Sequence, residues 1–207
     1  MNRRLGVLIS GRGSNLQAFI DAIRDGRLHA TIAIVISNRP DAAGLQRARD
    51  AGIDTICIDH RDYSSRHEHD LALVRELRAR GAGLVCLAGY MRLVGAALLD
   101  AFPHAILNVH PSLLPAFPGI DAQRQALEHG AKVSGVTVHL VTAELDGGPI
   151  VIQRTVPVMD DDTPDTLSAR ILVEEHRAYP EAVQTVLEGG WRVVGRRFVR
   201  SVAAASG

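Results

Sequence analysis

Five short apolar runs, each leading through a turn into a helical segment, restrict this chain more than any other feature of its sequence. Leu5–Ile9, Thr31–Ile36, Asp54–Ile58, Leu84–Leu87 and Ala105–Val109 are largely continuous in hydrophobicity rather than alternating. That is the pattern of strands covered on both faces, as in a parallel sheet. After the first run, Leu16, Phe19, Ile20 and Ile23 recur at helical spacing. A second helix is expected from about Ala43 to Ala51, where Gly52 can end it. Ser65-Arg-His-Glu68 reads as a capping box that opens a third helix, with Leu71, Leu73, Val74 and Leu77 on one side, up to Gly81. A short helix near Gly95 to Ala101 precedes the fifth run. Strands alternating with helices in this way predict an α/β fold with a doubly wound, mostly parallel sheet, whose ligands sit beyond the carboxyl ends of the strands.

The pattern changes after the fifth run. Pro111, Pro115 and Pro118 forbid a regular element, so a rigid loop leaves the strand. A short helix is expected over Ala122–His129. Val133–Val141 and Ile150–Val158 alternate, predicting an antiparallel pair joined through Thr142–Pro149. Thr163 caps a helix with Pro164 in its first turn, expected from Asp165 to about Ala178, where Pro180 should kink or end it. A second helical piece then runs to Gly189, and Trp191–Val199 forms a last strand or hairpin. Ser201–Gly207 is small and featureless, the composition of a disordered end. No repeat or linker divides the 207 residues, so one domain is expected, with halves at about 1–104 and 105–190 and a tail at 191–207.

Charge and composition narrow the function. Lys plus Arg and Asp plus Glu are balanced at 23 each, so no global field recommends nucleic acid or an acidic membrane surface, and a small molecule is the better ligand. No run reaches membrane-spanning length, and Met1–Arg4 enters the first strand without a leader-like apolar segment, which points to the cytoplasm. Cys57 and Cys86 lie in apolar runs without metal-ligand spacing and are expected as buried thiols in a reducing compartment. The histidines show no metal-ligand pairing, and no metal is expected.

Two motifs carry chemistry. Ser10-Gly-Arg-Gly-Ser-Asn15 joins a strand to a helix, where glycines admit close approach and first-turn N–H groups attract an anion such as phosphate. A tight turn capped by Ser14 or Asn15 explains the same residues. The dinucleotide fingerprint is absent, because its third glycine falls at Leu16. In Asn108-Val-His110 the two polar side chains share one strand face, an amide and an imidazole suited to a developing oxyanion. A polar turn that satisfies both groups fits as well. Asp146, by composition alone, is an ordinary turn residue.

Taken together in order, Ser10–Asn15, Leu87-Ala-Gly-Tyr-Met-Arg92, Asn108-Val-His-Pro-Ser-Leu-Leu-Pro115 and Glu144-Leu-Asp-Gly-Gly-Pro149 resemble the phosphoribosylglycinamide formyltransferase family, from about Leu5 to Trp191. The resemblance implies a Rossmann-like formyltransferase fold and transfer of a formyl group from 10-formyltetrahydrofolate to the amine of glycinamide ribonucleotide, in purine biosynthesis. It also implies the roles. Asn108 and His110 stabilise the formyl oxygen, His110 as acid, and Asp146 favours its imidazolium and orders a proton-relaying water. Gly11, Arg12, Gly13, Ser14, Asn15 and Glu175 bind the ribonucleotide. Arg66, Met91, Arg92, Leu93, Val94, Thr142, Ala143, Glu144, Leu145 and Asp146 hold the folate, with Arg66 placed for its glutamate tail. His139 lies on the strand leading to the Asp146 loop, where either site support or core packing accounts for it.

After Pro118-Gly119, some family members carry histidines where this chain has Asp121 and Gln123, so no substrate contact is assigned there. The rivals are formyltetrahydrofolate deformylase, with water as acceptor, methionyl-tRNA formyltransferase and a non-catalytic nucleotide-binding module. The first usually adds an N-terminal regulatory domain and the second a C-terminal RNA-binding domain with a basic face; neither suits this chain's early first strand and neutral charge. Monomer and homodimer both fit.

Overall fold

The computed structural model describes residues 2–201, so the segment expected to be disordered lies, beyond Ser201, outside the described residues. Strands β1 (Arg4–Ile9), β2 (Thr31–Ser37), β3 (Thr55–Cys57), β4 (Leu84–Leu87) and β5 (Ile106–His110) pair in parallel in the order β3-β2-β1-β4-β5. Helices α1 (Ser14–Arg24), α2 (Ala43–Asp50), α3 (Arg66–Ala79) and α4 (Ala96–Ala101) connect them, with a single 3-10 turn at His60–Asp62. From β1 the chain winds first to one side and then, at β4, to the other. The loops after β1 and β4 therefore part at the point where ligand crevices form in such sheets.

The sheet then reverses. After α5 (Ala122–Glu128), β6 (Val133–Leu140) runs antiparallel to β5, and β7 (Ile150–Pro157) antiparallel to β6. The hairpin β8 (Trp191–Val194) and β9 (Arg197–Arg200) adds to the edge of β7, completing a nine-stranded sheet among the described residues. The expected α/β architecture with an antiparallel extension is borne out, and the Trp191–Val199 segment is a working part of the sheet.

Four local expectations are corrected. Between Pro164 and Glu188, α6 is one unbroken helix through Pro180. An interior proline removes one backbone bond and costs about 3 kcal/mol. Here the surrounding turns bury Ala178, Tyr179, Ala182, Val183 and Val186, and that packing offsets the lost bond. Strand β6 keeps its expected antiparallel partner and is buried on both faces: Thr137 is tied to the proline loop, and the apolar alternates face the α6 side. The α3 box is only half reciprocal, since Ser65 accepts the Glu68 N–H but the Glu68 carboxylate turns to Ser64. Cys86 is buried, whereas Cys57 is exposed because β3 is the short edge strand. Neither Ser14 nor Asn15 caps α1; the cap position is Gly13, at φ 72°, with no side-chain bond.

Tyr179 fixes α6 on the sheet. It is fully buried, its ring meets Phe19 edge-on at 4.7 Å, and its hydroxyl lies 3.1 Å from the Leu87 carbonyl and 2.9 Å from that of Leu107. Glu175 is four residues earlier and so shares that helix face. The tyrosine thereby sets where the carboxylate meets α1.

Candidate active site

The Gly-rich turn after β1 is held by α2. Gly44 donates its N–H to the Gly11 carbonyl at 3.0 Å, and Arg47 Nε donates to the Arg12 carbonyl at 2.9 Å. The two segments touch backbone to backbone: a Cβ on Gly13 would lie 2.6 Å from Gly44 Cα, and one on Gly44 only 2.7 Å from Ile9 Cδ1. With no side chain capping α1, the N–H groups of Ser14 and Asn15 are left for a ligand, and the helix dipole favours an anion there. Asn15 Nδ2 donates to Glu175 Oε2 at 2.8 Å, closing the cradle from α6. Burial pushes the Glu175 carboxyl up, and the Asn15 hydrogen bond and the Arg12 charge oppose that rise. Arg12 itself is exposed at the rim.

The second cluster lies where β5 faces β6. Asn108 pairs across with His139, and His110 with Thr137, so the four side chains share one face. Asp146, in the β6–β7 loop with φ 50°, accepts the Gly119 N–H on Oδ2 at 2.8 Å. The same oxygen lies 3.4 Å from His110 Nδ1, and the two side chains are only 8% and 6% exposed. The other nitrogen of His110 faces the Phe117 carbonyl at 2.9 Å. Both ring nitrogens thus face oxygen acceptors. Burial opposes ionisation of Asp146, yet His139, the Gly119 N–H and His110 outweigh it and hold the carboxyl below its ordinary range.

His139 belongs to this corner. Its Nδ1 lies 3.0 Å from the Leu140 carbonyl, its Nε2 3.3 Å from Asn108 Nδ2 and 3.7 Å from Asp146 Oδ1. One N–H of the Asn108 amide is turned to this ring, and the other is left for a ligand. The proline loop is braced by Thr137 Oγ1, which accepts from Leu114 N at 3.0 Å and donates to the Ser112 carbonyl at 2.7 Å, and by Gln153, which donates to the Leu114 carbonyl at 2.8 Å.

The residues expected for the folate split into two walls. Met91, Arg92, Leu93 and Val94 form the loop after β4, tied to β1 by Met91 N donating to Ser10 Oγ at 2.8 Å. Thr142, Ala143, Glu144 and Leu145 lead into Asp146, and Arg196 in the β8–β9 turn pairs with Glu144 at 3.0 Å and donates to the Gly147 carbonyl at 2.8 Å. Met91, Leu93 and Leu145 are exposed apolar side chains on these walls, a lining suited to an aromatic ring. Arg66 is exposed at the start of α3. Asp121, at φ 55°, precedes α5 without capping it by its side chain. Sequence reasoning missed Ser10, Gly44, Arg47, Thr137, Gln153 and Arg196. Each acts across a long sequence separation; Ser10 opens the Gly-rich motif and Gly44 lies in the first turn of an expected helix, while the other four carry no local signal.

Known proteins resemble the chain over nearly its whole length. The formyl transferase family matches residues 3–183. Phosphoribosylglycinamide formyltransferase of Escherichia coli is 44% identical over 183 residues, 88% of this chain and 86% of that one. The trifunctional purine biosynthetic protein adenosine-3 of Drosophila melanogaster is 48% identical over 189 residues, but these cover 90% of this chain and only 14% of that protein's length. Among solved structures, glycinamide ribonucleotide transformylase 1 from Symbiobacterium toebii superposes with a TM-score of 0.94 at 58% identity, covering 95% of this chain and 93% of that one.

Proposed function

The chain belongs to the formyl transferase family, and we propose that it acts in purine biosynthesis as a phosphoribosylglycinamide formyltransferase, moving a formyl group from 10-formyltetrahydrofolate to the amine of glycinamide ribonucleotide. One observation carries the reading: the Asp146 carboxylate bridges His110 and the Gly119 N–H beside Asn108, on the same sheet as a helix start whose N–H groups no side chain caps. The same nine-stranded sheet supports treating the chain as one domain, with most of the phosphate cradle in residues 1–104, the catalytic corner in 105–190 and the folate walls drawn from both.

Gly11, Arg12, Gly13, Ser14 and Asn15 take the ribonucleotide phosphate, and Glu175 contacts the ribonucleotide beside them. The loops at 91–94 and 142–146, with Arg66 at the rim, hold the folate, which supplies the formyl carbon. As the amine attacks, negative charge grows on the formyl oxygen. The free Asn108 N–H meets it, and the His110 Nε2–H exchanges the Phe117 carbonyl for it. Asp146 stays ionised, holds the imidazolium in place and orders a water; as the carbonyl re-forms, the bond from the formyl carbon to the folate nitrogen breaks, and the proton lost by the amine passes through that water to the departing folate nitrogen.

The deformylase and the non-catalytic module find no support in these relatives. The decisive assay supplies 10-formyltetrahydrofolate with and without glycinamide ribonucleotide and follows folate product, formate and formylated nucleotide. Formylated nucleotide is expected only with both substrates. Formate release without the nucleotide would restore the hydrolase, and absence of folate turnover would restore the binding module.

A further inference from the structure

We propose that Asp70 is a positioning residue for the folate: its carboxylate clamps one end of the Met91–Gly95 loop and so preforms the slot. The inference rests on the folate assignment above and deepens it. Asp70 lies on α3, away from the Asn108, His110 and Asp146 corner, and is only 2% exposed. A carboxylate taken out of water needs hydrogen bonds in return. Its Oδ2 accepts the Gly95 N–H at 2.7 Å. Burial pushes the Asp70 carboxyl up, while the Gly95 N–H and the charges of His69, Arg66 and Arg92 pull it back.

Gly95 supports the clamp from the other side. Its φ of −101° is open to any residue, so the backbone does not call for glycine there. Space does: a Cβ would lie 2.5 Å from Asp70 Oδ2 and 3.4 Å from Arg66 Cδ. The carboxylate occupies the room a side chain would need. At the loop's opposite end, Met91 N is held by Ser10 Oγ at 2.8 Å. Between these two ties Met91 is 76% exposed and Leu93 53% exposed. Main-chain anchors, rather than packing, thus keep apolar side chains facing outward. Releasing one anchor lets the loop sample collapsed forms, and a ligand must then select the open one, which weakens its binding. Arg66 is four residues before Asp70 on the same face of α3, so one helix serves both the slot and its rim.

The test is steady-state kinetics of the full chain with both substrates varied. Asp70→Ala and Gly95→Ala are each expected to raise KM for 10-formyltetrahydrofolate about tenfold or more, with kcat and the ribonucleotide KM within about twofold. Asp70→Asn, which keeps an acceptor oxygen, should recover most of the loss. The double Ala variant should be little worse than either single one, because both break the same contact. Equal rises in both KM values, a fall in kcat with the folate KM unchanged, or additive losses would overturn the proposal. If Asp70→Ala does not fold by circular dichroism, Gly95→Ala and Asp70→Asn carry the comparison. Calorimetric titration with tetrahydrofolate separates the two readings. A wild-type chain that binds it, loses affinity on Gly95→Ala and yet formylates nothing would sink the function while leaving the clamp in place.

Discussion

The proposed phosphate cradle and the proposed catalytic corner are built from opposite materials. Around Gly11–Asn15 the working groups are main-chain N–H donors, and what shapes them is the absence of side chains at Gly13 and Gly44. Around Asn108, His110 and Asp146 the working groups are buried side chains, and each is oriented by a further polar partner: His139, the Phe117 carbonyl and the Gly119 N–H. A backbone site tolerates changes of polarity and fails by crowding. A side-chain site tolerates small shifts of volume and fails when one partner loses its charge or its hydrogen bond.

The sharpest break between the two should come from Asp146→Asn. It keeps the shape and an oxygen for Gly119, but removes the charge facing His110. We expect kcat to fall by about two to three orders of magnitude, as for loss of a preorganised electrostatic group, with the ribonucleotide KM little changed. A KM effect of similar size would mean that corner and cradle are not separable. The same variant carries a pH signature. Because the folded state holds the Asp146 carboxyl below its ordinary range, its stabilisation is present above about pH 4 and is lost as pH falls through the folded value. Urea midpoints followed into acid should therefore decline less steeply in Asp146→Asn than in the wild type.

Gly44→Ala tests the cradle by crowding. The new methyl would meet Ile9 Cδ1 at 2.7 Å, Gly13 Cα at 3.1 Å and the Gly11 carbonyl at 3.3 Å, and two of these are backbone atoms. Overpacking of this kind costs about 1–3 kcal/mol, readable in urea unfolding, and should raise the ribonucleotide KM while sparing the folate KM. An unchanged ribonucleotide KM would show that the close approach is structural alone.

The smallest effect is expected at the junction between backbone and side chain. Glu175→Gln exchanges a charged acceptor for a neutral one, and losing a charge-assisted bond to the ribonucleotide should raise its KM by about tenfold. Stability should move the other way. Burial raises the Glu175 carboxyl, so its contribution is complete below the ordinary carboxylate range and is lost as pH climbs through the raised folded value. The Gln variant should match the wild type near pH 4 and gain on it toward neutrality, as thermal melts at several pH values would register. Parallel curves would place Glu175 in water rather than in the cradle wall.

How much of this was legible follows from how far each determinant acts. The parallel strands and the Asn108/His110 pair could be read because continuous apolar runs and the two-residue repeat are local properties. Pro180 misled because its local penalty is visible and the burial of Tyr179 and Ala182 around it is not. Cys57 misled because an apolar run does not say which strand becomes the sheet edge. The Asp146 contacts were legible only through the family pattern, since a turn aspartate has the same local appearance with or without a histidine facing it. Arg196 and Asp70 left no trace in the sequence, as each is defined by a partner that only folding brings near.

The bond between Asn15 and Glu175 joins residues 160 positions apart. A ribonucleotide seated across them would act as a reversible cross-link around most of the chain. Such a ligand binds only when α1 and α6 are docked, so at about a hundred times its dissociation constant it adds about 2.7 kcal/mol to the folded state. The abundance of the folded enzyme would then rise and fall with its own substrate.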